Sequence, residues 1–135
     1  MITVLVVDDH SFVRAALVAF LESAGDILVV GECADGTEVV PAFRNTRPDV
    51  VLMDVDMPRM NGVEATRALL ATEPHARVVM LTGTITPVRM WQARSSGARG
   101  YLLKGDDAVE LIERVREVAA GGTAWSRAIA ELASA

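Results

Sequence analysis

The sequence predicts an α/β domain built on a doubly wound, five-stranded parallel sheet with five flanking helices. Three observations carry this expectation. Five short aliphatic runs, near residues 2–8, 27–33, 49–54, 77–82 and 99–104, alternate with stretches of helical spacing. The runs are continuous rather than alternating apolar with polar, as in parallel strands buried on both faces. Four of them end in a polar group: Leu5-Val6-Val7 in Asp8-Asp9, Val51-Leu52-Met53 in Asp54, Val79-Met80-Leu81 in Thr82, and Tyr101-Leu102-Leu103 in Lys104.

The helices follow in order. Val13, Leu17, Phe20, Leu21 and Ala24 form one stripe at helical spacing after the first run. A second helix is expected over residues 37–45, with Pro41 in its first turn, where its missing N–H does no harm. Gly62 opens a third, running to about Thr72 and ended by Glu73-Pro74. The fourth, about 87–96, carries few core residues and a large Trp91, so little burial holds it in place. Asp106-Asp107 put negative charge at the start of the fifth, where the helix dipole favours it. Its stripe is Ala108, Leu111, Ile112, Val115 and Ala119, and Gly121-Gly122 stop it. The tail from Ala124 to Ala135 reads as a short helix.

Bulk properties narrow the function. A chain of 135 residues makes one domain. Its net charge of −5, with arginines scattered singly, argues against a nucleic-acid-binding surface on this segment. Cys33 is the single cysteine, which excludes an internal disulfide and a cysteine-based metal cluster, and its apolar neighbours predict a buried structural thiol. No leader or run long enough to span a bilayer is visible, so no membrane is expected and the default location is cytoplasmic.

The strand ends carry the chemistry. In doubly wound sheets ligands bind outside the carboxyl ends of the strands, at the switch point of strand order, which brings Asp8, Asp9, Asp54, Thr82 and Lys104 together. Lys104 is the only lysine among 13 basic residues. Three crowded carboxylates repel, and a hard divalent cation such as Mg2+, which takes a few carboxylate or carbonyl oxygens and keeps several waters, offsets the repulsion. Lys104 balances the remaining charge, and Thr82 offers a hydrogen bond to an anionic oxygen. A carboxylate in such company is placed to accept a phosphoryl group.

Val6-Val7-Asp8-Asp9-His10, Leu52-Met53-Asp54-Val55-Asp56-Met57-Pro58, Asn61-Gly62, Leu81-Thr82 and Gly97-Ala98-Arg99-Gly100-Tyr101-Leu102-Leu103-Lys104 occur in the order and at the separations of a known family. The chain resembles the receiver domain of bacterial two-component response regulators. Asp8-Asp9-His10 and Ala119-Ala120-Gly121-Gly122-Thr123 resemble its NarL/FixJ (LuxR-type) branch.

The resemblance implies a flavodoxin-like strand order 2-1-3-4-5, a receiver over residues 1–122, and a linker helix beginning within 123–135. It implies that Asp54 accepts a phosphoryl group from a sensor histidine kinase. Asp9, Asp54 and the backbone carbonyl of Asp56 would ligate Mg2+, with Asp8 assisting through water. Thr82 would swing to the phosphoryl oxygen, Lys104 would pair with it, and Tyr101 would turn inward as the switch propagates. The surface changed would be that of the fourth helix, fifth strand and fifth helix. A second copy of the chain is a candidate partner. DNA would be reached through a downstream helix-turn-helix domain that this chain does not contain. The implied role is that of a signalling switch, not an enzyme.

Two other readings compete. A Mg2+-dependent phosphohydrolase of the haloacid dehalogenase type also uses an Asp nucleophile, and Asp54-Val55-Asp56 imitates its paired acids. That motif starts near the N-terminus and continues with Thr, where this chain has Pro58. An atypical receiver acting by protein contact alone typically loses an acid, the acceptor or the lysine, all retained here.

Overall fold

The structure, a computed structural model, describes residues 1–84, 86–105 and 107–125. The strands are β1 (Ile2–Val7), β2 (Ile27–Cys33), β3 (Val50–Asp54), β4 (Val78–Thr82), β5 (Gly100–Leu103) and β6 (Ala124–Trp125). They form one parallel sheet in the order β2-β1-β3-β4-β5-β6. Every position of β3 and β4 is buried, which suits continuous aliphatic runs on both faces and leaves polar groups only at the last residue of each, Asp54 and Thr82. Registers then set the strand ends level. Val7 pairs with Met53, Asp54 with Leu81, and Thr82 with Leu103, so the polar groups after each run emerge at one edge.

Alternate strand residues feed two cores. Leu5, Val7, Val51, Met53, Val78, Met80 and Tyr101 face α2 (Val39–Thr46), α3 (Gly62–Thr72) and α4 (Pro87–Ser95) through Phe43, Leu69 and Ala93. Val4, Val6, Leu52, Leu81 and Leu102 face α1 (Ser11–Glu22) and α5 (Ala108–Ala119) through Leu21, Ile112, Val115 and Val118. No helix among the described residues is long and apolar enough to cross a membrane.

Local chemistry places the helix starts. Asn61 and Glu64 form a reciprocal capping box at the start of α3, each side chain taking the other's backbone N–H. Thr86 accepts from the Arg89 N–H ahead of α4, with Pro87 as the first helical residue. Asp107 caps α5 through the Val109 N–H; Asp106 lies outside the described residues. A 3-10 turn, Gly36–Glu38, precedes α2, so the stretch expected to be one helix from residue 37 is two short elements. Pro41 does sit in the first turn of α2.

The expected order 2-1-3-4-5 holds, and a two-residue strand is added at its edge: Ala124 and Trp125, the first residues of the expected tail helix, pair with Gly100 and Tyr101 instead. The pairing is possible because residue 100 is glycine; a Cβ there would collide with the Ala124 carbonyl. Residues 126–135 lie outside the described residues. The stripe of α1 is also shallower than its spacing suggested. Val13 is exposed and Leu21 alone is fully covered, with Leu17, Phe20 and Ala24 packed at the margin. Cys33 is buried, as expected, and burial pushes its thiol from an ordinary value near 9 up to about 11.

Candidate functional site

Asp8 follows β1 and is almost completely enclosed, at 1% exposure. Its Oδ1 accepts the His10 N–H at 2.9 Å, while Arg14 donates to its backbone carbonyl at 2.6 Å. These bonds fold the β1–α1 turn inward over the sheet edge. Asp54 ends β3 at 2% exposure. Its Oδ1 accepts the Asp56 N–H at 3.2 Å, and its Oδ2 is buried with no hydrogen-bond partner among the described residues. Gly62 lies directly behind; a Cβ there would strike the Asp54 carbonyl, so glycine lets α3 start close under the strand end.

Lys104 follows β5 and reaches across. Its Nζ stands 3.2 Å from Asp54 Oδ1 and 3.4 Å from Asp8 Oδ2. Burial opposes its charge, but Asp54 and Asp8 outweigh that and hold its pKa above the ordinary lysine value. Burial drives the Asp54 carboxyl up to about 6; Lys104 pulls it back, and Asp8 adds repulsion. An ionised Asp54 is therefore short of positive charge even with the lysine in place.

Asp8, Asp9, His10 and Asp54 each offer one ligand atom, all within 4.8 Å of one another. The donor set fits a divalent cation. Buried carboxylate oxygens short of partners are what Mg2+ coordination satisfies. His10 went unsuspected in the sequence as a site residue, although it directly follows the acids.

Asp56 is elsewhere. Its carboxylate is not part of this group but pairs with Arg89 of α4, at 2.7 Å to Oδ1 and 2.9 Å to Oδ2. Arg89 was also missed, because a pair 33 residues apart leaves no local signal. Thr82 is fully buried, and its hydroxyl donates to the Thr84 carbonyl at 2.8 Å. Tyr101 is inward here: its ring is fully buried and its hydroxyl has no hydrogen-bond partner among the described residues. Burial raises its phenol above the ordinary value, with Thr82 and Arg89 acting against that rise. Beyond it, Trp125, the register partner of Tyr101, lies under the Arg94 guanidinium of α4, 4.7 Å from the ring centroid.

Fold and site together define a doubly wound domain with an acidic pocket at the switch between β1 and β3, the architecture of a receiver. The family model for the response regulator receiver domain matches residues 4–116, and the chain belongs to that family. It is 42% identical over 134 residues to the response regulator GacA of Pseudomonas aeruginosa, covering 97% of this chain and 61% of that protein. It is 40% identical over 121 residues to the transcriptional regulatory protein LiaR of Bacillus subtilis, covering 90% of this chain and 57% of LiaR. The chain therefore spans roughly three-fifths of these relatives, at 61% and 57% of their lengths.

Solved structures agree. A LuxR-family two-component response regulator from Aurantimonas superposes with a TM-score of 0.94 at 33% identity, over 98% of this chain and 94% of the other. The receiver domain of NarL from Mycobacterium tuberculosis gives 0.84 at 34% identity, over 89% and 97%. These likenesses place the chain with the NarL/FixJ-type receivers. Its relatives are signalling regulators, not enzymes.

Proposed function

We propose that the chain is a phosphorylation switch in which Asp54 accepts a phosphoryl group from a sensor histidine kinase. One observation supports this most: Asp54 Oδ2 is buried, without a partner, in a pocket whose other groups are two acids, a histidine and one lysine. One Asp54 oxygen is anchored by Lys104 and the Asp56 N–H and the other is free of hydrogen bonds, so this carboxylate has an oxygen for the cation and one to attack phosphorus. In the transfer a new bond forms between an Asp54 carboxylate oxygen and phosphorus, and the bond from phosphorus to the donor nitrogen breaks.

Mg2+, held by Asp9, Asp54 and the Asp56 carbonyl with Asp8 behind, would supply the positive charge that the transferring oxygens need. Lys104 supplies the rest. Its side chain is 30% exposed, and its compact ammonium suits a crowded pocket better than a planar fork.

Relay then depends on Thr82 giving up the Thr84 carbonyl for a phosphoryl oxygen, which alters the loop that leads into α4. Arg89 and Tyr101 adjoin that loop, so α4, β5 and α5 form the surface changed. The receiver proper covers residues 1–122, with 123–135 leading into a linker toward a downstream DNA-binding domain; the Gly100 contact ties the first linker residues to β5. A second copy of the chain is the expected partner of the altered surface, and the cytoplasm is where the kinase would act.

The reading is tested by intact mass. With acetyl phosphate and Mg2+ the protein should gain one phosphoryl group, and Asp54→Asn should gain none. A wild type that gains nothing, or binds no beryllofluoride, would refute the switch.

A further inference from the structure

We propose that His10 is a nitrogen ligand of the acidic site and raises its preference for transition ions such as Co2+ and Zn2+ over Mg2+. The inference rests on the metal-binding part of the reading above and adds a ligand to it. His10 occupies the N-cap position of α1 yet makes no capping hydrogen bond with its side chain. Its Nδ1 instead lies 3.2 Å from Asp9 Oδ1 and 3.5 Å from Asp8 Oδ1, pointing at the two acids. The ring is 65% exposed, so little packing restrains it from closing further.

The geometry is close to that of a bound ion. Transition ions of this class sit about 2.0–2.2 Å from nitrogen and oxygen ligands, so opposite ligands stand roughly 4.0–4.4 Å apart. The ligand atoms of Asp8, Asp9, His10 and Asp54 fall within 4.8 Å of one another, and a small rotation closes the difference. Asp54 provides an independent pointer, since its Oδ2 is unpartnered in a side chain that is 98% enclosed, the complement of the 2% exposure.

Chemistry separates the metals. Mg2+ prefers oxygen and keeps several waters, so an imidazole beside it replaces a water at no gain. Imidazole suits Zn2+, Co2+ and Ni2+, whose affinities for mixed nitrogen and oxygen sites exceed those of harder ions. A histidine that merely paired with the acids would compete with every cation alike. A ligand would favour one class.

The test uses untagged protein in a His75→Gln background, which leaves His10 as the only imidazole, with every variant held at one buffered pH. Co2+ and Mg2+ are titrated separately, with Co2+ followed by its visible d–d absorption and both by calorimetry. Circular dichroism confirms that the His10→Ala and His10→Gln variants are folded. Loss of an outer-sphere partner alone costs about 10–100-fold in metal affinity. Removal of a direct ligand should therefore weaken Co2+ by at least about tenfold and shift its absorption, while Mg2+ affinity holds.

Unchanged Co2+ affinity and spectrum in both variants would overturn the inference. So would equal changes for the two metals. If the wild type binds Mg2+ and Asp54→Asn does not, the underlying site stands whichever way the His10 result falls. If the wild type binds neither ion, the inference and the site reading fail together.

Discussion

Lys104 Nζ stands 3.2 Å from Asp54 Oδ1 although Asp54 ends β3 and Lys104 follows β5, with β4 between those strands. The same ammonium is 3.4 Å from Asp8 Oδ2, so one cation serves two enclosed carboxylates. That imbalance is the basis of the site's chemistry: charge is under-compensated until more positive charge arrives.

Removing the lysine should make this visible. Lys104→Ala leaves both acids without their cation and should destabilise the protein at neutral pH by about 1–3 kcal/mol. That is less than the ~3–5 of a fully buried pair, because the lysine is 30% exposed. Chemical denaturation measures the loss, and Mg2+ should recover part of it. The variant should still take a phosphoryl group but show less of the wild type's dimerisation or mobility change on phosphorylation. A full change would refute the relay role given to Lys104.

Mg2+ should stabilise the wild type in proportion to its occupancy. At a free concentration about 100 times its dissociation constant, the gain is about 2.7 kcal/mol. A thermal melt of the wild type should rise with Mg2+, and one of Asp54→Ala should rise much less. Equal rises would place the metal away from Asp54.

The Asp56–Arg89 pair fastens α4, a helix in which Ala93 is the buried residue, to the loop after β3. Partly exposed ion pairs contribute about 0.2–1 kcal/mol, so Arg89→Ala should barely change global stability. Its effect should be local: amide exchange across Pro87–Ser95 should quicken, read by mass spectrometry. Unaltered exchange there would show that α4 is held by other contacts.

Gly100→Ala should push Ala124 off β5. Forcing a methyl into a packed contact costs about 1–3 kcal/mol. Trp125 would then leave Arg94, and its fluorescence should shift toward that of an exposed indole, tested in a Trp91→Phe background. An unchanged spectrum would mean that the strand edge adapts without releasing β6.

Cys33 should be silent to thiol reagents in the folded state. Its folded value near 11 exceeds the ordinary 9, so the neutral thiol is favoured by folding. Below about pH 9 the group adds no pH dependence, because both states hold the proton. Between roughly 9 and 11 the unfolded thiol ionises first, and stability falls as pH rises. Labelling at pH 8 should follow unfolding, and rapid labelling of native protein would contradict the burial.

The central strands were legible because burial on both faces leaves a run that a single pass along the chain can see. Val50–Asp54 and Val78–Thr82 are such runs, and the Asp54 carboxylate and Thr82 hydroxyl that close them came with them. The sixth strand was not legible: Ala124-Trp125 is too short for any period, and its partner is chosen by Gly100. Val13 misled for a different reason, since apolar character does not compel burial and it is 36% exposed. The direction of the Asp56 carboxylate could not be read at all. It is decided by Arg89, which only the folded chain brings near.

The account rests on Asp54 as the acceptor, and the most direct measurement locates the phosphoryl group itself. After reaction with acetyl phosphate and Mg2+, borohydride reduces an aspartyl phosphate to homoserine, which peptide sequencing by tandem mass spectrometry finds. The account predicts homoserine at position 54 and aspartate retained at 8, 9 and 56. Homoserine at Asp8, Asp9 or Asp56, with Asp54 intact, would contradict it.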